Sequence, residues 1–346
     1  MVTIKDIAFE AGVSIATVSN VINGVKSKVS EEKASKIYKI IKKRQYVPNS
    51  FARTLVAKSS NIIAGILLRD TSLNIFKDQY NAEFFGELLC AVQDYGYYMM
   101  FRYVNSCEEV IQNLRSWNVD GAVFLGTSDT YSKKIKDEIK IPLIFTDSYT
   151  MHPEITSVNI DDYGGGKLAA EYFLEKGHTK LGFVGYVIAE QEKSVVSERL
   201  NGFISVLKER NLKPGKDQLF YVPSINEDEQ IQKIASRLAS GKTGITALFI
   251  SADKLAISLI EALSQHGVKV PEDISIIGFD DLPIAAINKP KLTTIRQNIS
   301  EKARIATELL FCQINNKDMS LEMPVLNVTL VERDSVRFIK KKSNKT

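Results

Sequence analysis

The sequence predicts an α/β protein built as a three-helix helix-turn-helix head, a short hinge helix and a doubly wound core of two units. Three observations carry that expectation. Two short helical patterns separated by a Gly-containing turn open the chain, and a third pattern follows a Lys-rich loop. Charge is unevenly placed: residues 1–60 hold eleven Lys and Arg against four acids, a net +7, which leaves −3 for the remainder of a chain whose total is +4. From Asn61 onward, short β-rich runs alternate with helical stretches of ordinary length.

The first helix is expected from Ile4 to Ala11. Thr3 stands where it can cap, Asp6 answers three residues later, and Ile4, Ile7, Ala8 and Ala11 share one face. Gly12 supplies the left-handed residue that ends it, Val13 plugs the corner, and Ser14 caps a second helix, Ile15 to Ile22. Ser30, Glu31 and Glu32 then open a third helix reaching about Arg44, whose Ile37, Ile40 and Ile41 cover the other two.

In such a unit the second helix enters a major groove. Ile15 and Ala16, apolar yet placed outward, suit thymine methyl groups, while Asn20 can both donate and accept at a base edge. Thr3, Ser14, Thr17, Ser19 and Asn23 are the short polar side chains that hold a backbone on phosphates. A basic head on a mildly acidic body fits one end of the chain meeting a polyanion. A three-helix protein-interaction module is the alternative for the same pattern.

The next segment begins at Pro48, whose fixed φ suits a helix start, and Asn49 to Val56 allows only about two turns. Helices this short are marginal in water, because nucleation costs more than so few hydrogen bonds return. Asn49, Ser50, Ala52 and Arg53 are therefore read as hinge residues that fold only against a partner.

Thr3-Ile4-Lys5-Asp6-Ile7-Ala8, Ala11-Gly12-Val13-Ser14, Ala16 to Gly24 and Tyr46 to Leu55 closely resemble the DNA-binding region of the lac repressor/galactose repressor family of transcriptional regulators. The resemblance implies that Ile15, Ala16 and Asn20 read operator bases. It also implies that paired hinges of a homodimer lie in the minor groove of a roughly palindromic duplex operator, with Leu55 wedging between base pairs.

In the body, strands are expected at 62–68, 98–103, 121–125, 142–146, 181–185, 220–222, 247–250 and 274–278, and helices at 164–176, 199–210 and 254–267. Ligands of such sheets bind beyond the carboxyl ends of the strands, so two units facing each other form a cleft. The strand-end polar residues are Asp70, Asp147, Asp161, Asp162, Arg199, Asp253, Asp280 and Asp281. Carboxylates beside an Arg suit a sugar, whose hydroxyls donate to them while the Arg fork donates back. Glycoside hydrolysis by a carbohydrate-acting enzyme is the alternative use of the same groups. The sequence has no Gly-x-Ser-x-Gly elbow and no phosphate-binding Gly-x-x-x-x-Gly-Lys-Ser/Thr loop, and Gly164-Gly165-Gly166 lacks the spacing of a phosphate cradle and reads as a helix start.

Asp161 to Gly166, Ser197 to Phe203, Val270 to Asp281 and Leu292 to Gln297 resemble the same family's periplasmic-binding-protein-like effector domain, which crosses three times between its subdomains. The crossings are expected near 161, 292 and 323. The corresponding divisions are a head at 1–47, hinge and linker at 48–60, one subdomain at 61–161 with 293–322, the other at 162–292 with 323–340, and a basic tail at 341–346. By motif, Arg199, Asp253 and Asp280 are the leading effector contacts, followed by Asp147 and Asp162, with Asp70 at the first strand end. His178 is expected to be structural. Departures from the family pattern occur at Ala252-Asp253, Asp147-Ser148 and Asp161-Asp162, and the loop from Asp70 to about Glu83 is expected to be lengthened.

The expected protein is thus a repressor of carbohydrate-utilisation genes controlled by a sugar-like effector, with no catalytic residue, metal or cofactor. A purine-type or phosphoprotein-dependent regulator of the same fold is the runner-up. No apolar run approaches the roughly 18 residues of a membrane span and no signal segment is evident, so a cytoplasmic protein is expected. A solute-binding protein feeding a transporter would share the body but not the head. Cys90, Cys107 and Cys312 are too few and scattered for a disulfide framework and read as reduced, partly buried thiols.

Overall fold

The computed structural model describes residues 2–22, 24, 28–46, 59–68, 75–187, 193–212, 214–223, 225–317 and 325–339. It divides into a unit of residues 1–60 and a unit of residues 61–346. Asn23, Asp70 and the whole hinge, including Asn49, Ser50, Ala52, Arg53 and Leu55, lie outside the described residues.

In the first unit α1 (Ile4–Ala11), α2 (Ile15–Ile22) and α3 (Glu31–Lys43) enclose one small core. Thr3 and Asp6 cap α1 reciprocally, and Gly12 ends it at φ 70°, a conformation that a side chain resists. The Ser14 Oγ accepts from the Thr17 amide at 3.1 Å, which starts α2. Ile7, Ala8, Ala11, Val18, Val21, Ile37 and Ile40 form the buried cluster. The Tyr38 hydroxyl donates to the Val21 carbonyl at 3.0 Å and ties α3 to the last turn of α2.

The second unit holds two six-stranded sheets. The first contains β1 (Ile62–Leu68), β2 (Tyr98–Val104), β3 (Gly121–Leu125), β4 (Leu143–Thr146), β5 (Ser157–Ile160) and β11 (Val325–Leu326), in the order β11-β5-β4-β3-β1-β2 and parallel throughout. The second contains β6 (Leu181–Tyr186), β7 (Leu219–Val222), β8 (Ala247–Ile250), β9 (Ser275–Asp280), β10 (Thr293–Arg296) and β12 (Thr329–Val331), in the order β12-β10-β9-β8-β6-β7. Here only β12 runs antiparallel. Strands such as Ala247-Leu248-Phe249-Ile250 are buried at every position, as expected when helices cover both faces of a parallel sheet.

The helices that position the site are α4 (Gln79–Asp94), α5 (Cys107–Ser116), α6 (Asp129–Glu138), α7 (Asp162–Glu175), α8 (Val195–Glu209), α9 (Glu227–Ala239), α10 (Asp253–Gln265), α11 (Pro283–Ile287) and α12 (Ile299–Ile314). In both sheets the strand order reverses beside the first strand, β1 or β6, so ligand crevices are expected at the carboxyl ends of the central strands.

Several expectations shift. The crossing placed near 292 falls after β10, because Thr293 to Arg296 pair with β9 and β12 and so belong to the second sheet; the first-subdomain segment starts at α12. The crossing placed near 323 falls after β11, whose Val325 and Leu326 pair with β5. β11 is a two-residue edge strand, too short for a visible alternation, and β10, Thr293-Thr294-Ile295-Arg296, is too polar to read as a continuous apolar run. The expected long loop ends earlier than Glu83, since Asp78 caps α4 by accepting from the Asn81 amide. Cys90 is exposed rather than partly buried, while Cys107 is buried. Among the described residues no helix is long and apolar enough to cross a membrane.

Candidate functional site

Two surfaces collect the predicted residues, one in each unit. On the head, the first turn of α2 presents Ile15, 44% exposed, and Ala16, also exposed, with Asn20 half-buried one turn later. An apolar side chain at a helix start with no core to join is the arrangement a thymine-rich groove accepts. Ser14 and Thr17 bond each other through their hydroxyls at 2.9 Å, and the Thr3 hydroxyl donates to Asp6 at 2.8 Å. Those hydroxyls are therefore engaged at the starts of α2 and α1 respectively.

In the core, side chains from both sheets close into one ring. Arg199, on α8, donates through Nε to Asp162 at 2.7 Å and through Nη1 to the Ser251 carbonyl at 2.5 Å. Its guanidinium lies 3.5 Å over the Phe279 ring, and Nη1 stands 3.7 Å from Asp280. The second Asp162 oxygen accepts from the Tyr149 hydroxyl at 2.7 Å. Asp280 accepts from Gln297 Nε2 at 2.6 Å, and Gln297 Oε1 accepts from Lys302 Nζ at 2.7 Å. Lys302 donates also to Asp147 at 2.6 Å, two residues before Tyr149, which completes the circuit. Tyr80 accepts from Lys302 at 2.6 Å and donates to the other Asp147 oxygen.

Backbone strain aims two of these carboxylates. Asp147 has φ 52° and Asp280 φ 113°, values that non-glycine residues rarely adopt and that tend to mark functional sites. Both sit just where a strand stops, so the strain turns each side chain off the sheet edge.

Electrostatics follow from burial. Asp162 is buried and its carboxyl is raised by desolvation, although Arg199 and the Tyr149 hydroxyl pull the other way. Burial works against the Arg199 charge, but Asp162 and Asp280 hold it firmly protonated, with a net rise. The Tyr149 hydroxyl is likewise pushed up by burial and by Asp162. Asp280 is pushed up from 3.8 to about 7 by burial, against the pull of Arg199.

A buried acid with a raised value leaves stability intact below the ordinary carboxylate range and removes it as pH climbs through the folded value. The ligand-free protein should therefore lose melting temperature as pH rises from about 4 to about 7. Asp280→Asn should flatten that slope in calorimetry; an unchanged slope would place the titration elsewhere.

Asp253 is held by the chain on both sides. Its Oδ1 accepts from the Thr294 hydroxyl at 2.6 Å and its Oδ2 from the Leu282 amide at 2.9 Å, which pins the end of β9 to β10. Burial, with Asp280 nearby, raises its carboxyl well above the usual range. Asp161 caps α7 by accepting from Gly164 at 2.7 Å, and Asp281 pairs with Arg296 and Arg333. His178 is buried, its Nδ1 3.0 Å from the Thr246 hydroxyl and its Nε2 3.0 Å from the Arg337 carbonyl, a packing arrangement.

Tyr80, Tyr149, Gln297 and Lys302 were not foreseen as site residues. Only Gln297 lay in a recognisable motif; the others arrive from loops or helix interiors whose spacing carries no chemical signature. Beside the ring, Thr127 Oγ1, Ser251 Oγ and Asn81 Oδ1 are buried without hydrogen-bond partners. Thr127 and Ser251 follow β3 and β8, and Asn81 follows Tyr80. Orphaned polar atoms beside a charged ring are what a hydroxyl-rich ligand would satisfy.

Two family models match the chain. A model described as bacterial regulatory proteins, lacI family, matches residues 3–49, and one described as a periplasmic binding protein-like domain matches residues 170–336. A ribose operon repressor of Halalkalibacterium halodurans is 31% identical over 97% of this chain and 98% of its own length. The HTH-type transcriptional repressor PurR of Vibrio vulnificus is 28% identical over 98% of this chain and all of its own. Among solved structures, the lac repressor dimer bound to operator and the anti-inducer ONPF superposes with a TM-score of 0.84 at 22% identity, covering 97% of this chain and 99% of that one. A LacI family regulator from Enterococcus faecium with bound ribose gives 0.68 at 26% identity, covering 80% of this chain and all of that one.

Proposed function

The chain belongs to the lacI family of bacterial regulatory proteins, and from that membership we propose that it is a sequence-specific repressor of carbohydrate-utilisation genes, controlled by a sugar-like effector held between the two core subdomains. The observation that carries the effector half is the ring joining Asp147, Lys302, Gln297, Asp280, Arg199, Asp162 and Tyr149, flanked by the orphaned Thr127 and Ser251 hydroxyls. Carboxylates and a guanidinium fork are the partners sugar hydroxyls need. The aromatic faces at the ring already carry cations, Arg199 over Phe279, Lys302 over Tyr80 and Lys193 over Tyr149, which favours a hydroxyl-rich ligand over a purine.

The head supports the DNA half. A homodimer places two α2 helices on two half-sites, so the operator is roughly palindromic. Ile15, Ala16 and Asn20 read bases; Thr3, Ser14, Thr17, Ser19 and Asn23 position the backbone; the segment carrying Asn49, Ser50, Ala52, Arg53 and Leu55 is the conditional element. The effector changes the relation of the subdomains and thereby the stability of the paired hinges. To drive a 99:1 equilibrium to 1:99 it must prefer one state by about 10⁴-fold, or roughly 5.5 kcal/mol. An operator-bound regulator works in the cytoplasm, and the cleft binds its ligand without turnover.

The test is selection of duplex DNA from a random pool, followed by release with a sugar panel. A palindromic consensus released or tightened by a sugar supports the reading. Release by purines alone selects the purine-type regulator, and sugar turnover abolished by Asp280→Asn would make the protein an enzyme. Leu55→Ala should weaken the selected site while sparing most salt-sensitive nonspecific binding, measured by fluorescence anisotropy across a salt series; equal losses would remove the wedge role.

A further inference from the structure

Lys302 has no counterpart among the expected site residues. It lies on α12 between Ile299 and Ala303, both buried in the first-sheet core, and its own side chain is fully buried. An apolar residue would fill that position more cheaply, because a buried cation must be fully paired to be tolerated. The pairing is complete: Nζ donates to Asp147 at 2.6 Å, to Tyr80 at 2.6 Å and to Gln297 at 2.7 Å, which uses every proton an ammonium carries.

The pair also sets the charge that the ring offers a ligand. Asp147 faces Lys302, while Asp162 and Asp280 share Arg199, so no carboxylate of the ring is left without a cation beside it. A phosphorylated sugar would bring more negative charge toward Asp280, and Lys302 has no proton left to receive it. An amino sugar would find Asp147 already occupied. Hydroxyls meet no such conflict, and the Thr127 and Ser251 oxygens await partners beside them.

We propose that Lys302 is the specificity-determining residue of the cleft, acting as a positioning residue whose ion pair with Asp147 restricts the effector to neutral polyhydroxylated ligands. This rests on the reading of the cleft as the effector site. Each half of the pair should then bias the ligand in its own direction. Asp147→Asn leaves the Lys302 charge uncompensated and so open to an anion, whereas Lys302→Met leaves Asp147 open to a cation.

The experiment measures affinities by calorimetry for neutral mono- and disaccharides, each beside its phosphate and amino derivative. Wild type should bind a neutral sugar in preference to both derivatives. Asp147→Asn should move the phosphate-to-neutral ratio up by about tenfold or more, and Lys302→Met should move the amine-to-neutral ratio up by a similar factor, the scale of one charge-assisted hydrogen bond. The double variant, which removes both charges together and so avoids an unpaired buried ion, should return to a neutral preference. A merely structural lysine would lower all affinities together and leave the ratios alone. Unchanged ratios, shifts in the same direction, or a double variant that prefers a charged sugar would overturn the proposal. Wild type preferring a charged sugar would also overturn it while sparing the cleft reading, and silence toward every sugar would remove that reading and the proposal with it.

Discussion

Replacing Arg199 with Met should abolish the response to effector and destabilise the core by about 3–5 kcal/mol near neutral pH, the usual cost of leaving a buried charge unpaired. The guanidinium is buried with Asp162 on one edge, the Ser251 carbonyl on another and Asp280 beyond, and its face rests on Phe279. Removing it strands two buried carboxylates and opens the ring at its centre. Arg199→Lys should recover little, since a point charge on a flexible stem cannot meet Asp162 and the Ser251 carbonyl at once while lying flat on a ring. The loss should shrink as pH falls toward about 7, because without the pull of Arg199 the Asp280 carboxyl takes up its proton at a higher pH than in the wild type. Urea denaturation at several pH values and thermal shift with the effector would measure both parts. A loss independent of pH would mean that packing on Phe279, rather than charge, is what Arg199 supplies.

The second large effect is expected at Gly166. A Cβ built there would stand 1.9 Å from the Arg199 carbonyl oxygen, and one built at Gly202 would stand 1.9 Å from the Tyr163 carbonyl oxygen. The two glycines let α7 and α8 cross with their backbones in contact, and that crossing sets Asp162 and Arg199 opposite each other. Because both obstacles are main chain, no rotamer change relieves them. Gly166→Ala should therefore cost more than about 3 kcal/mol and separate the Asp162–Arg199 pair, weakening effector response as well as stability. Gly164 is the control. Its Cβ would meet Asp161 Oδ2 at 2.0 Å, a side-chain atom that can swing away at the expense of one helix cap, a loss of about 1 kcal/mol. Equal losses at Gly164 and Gly166, read from urea midpoints, would rule out the close crossing as the reason for the glycine run.

The head was legible almost to the residue. Thr3, Asp6, Gly12 and Ser14 act through bonds to neighbours three or four positions away, so the helix boundaries they set are written locally. Eight of the strands were legible for a related reason: a parallel strand covered on both faces is a continuous apolar run, as at Ala247 to Ile250, whereas the interior strands Ser157 to Ile160 and Thr293 to Arg296 mix polar with apolar residues and were not expected. β11 and β12 were not, because a two- or three-residue edge strand exists only where a partner supplies its hydrogen bonds. Asp253 shows the limit for chemistry. Its type and motif point to a ligand contact, while its bonds to Thr294 and Leu282, distant in sequence, give it a structural part that no local pattern shows.

What the sequence determined by itself was the order of parts: a basic three-helix reader, a segment too short to be stably helical alone, and a two-sheet core with carboxylates at its strand ends. Periodicity, capping and charge are short-range properties, and they survive in one dimension. What the tertiary structure alone decided was the site's inner pairing. Lys302 lies 155 positions from Asp147 in the chain and Arg199 lies 37 from Asp162, and neither pair leaves a local trace. A buried lysine reads in sequence as a solvated one until the fold takes the water away.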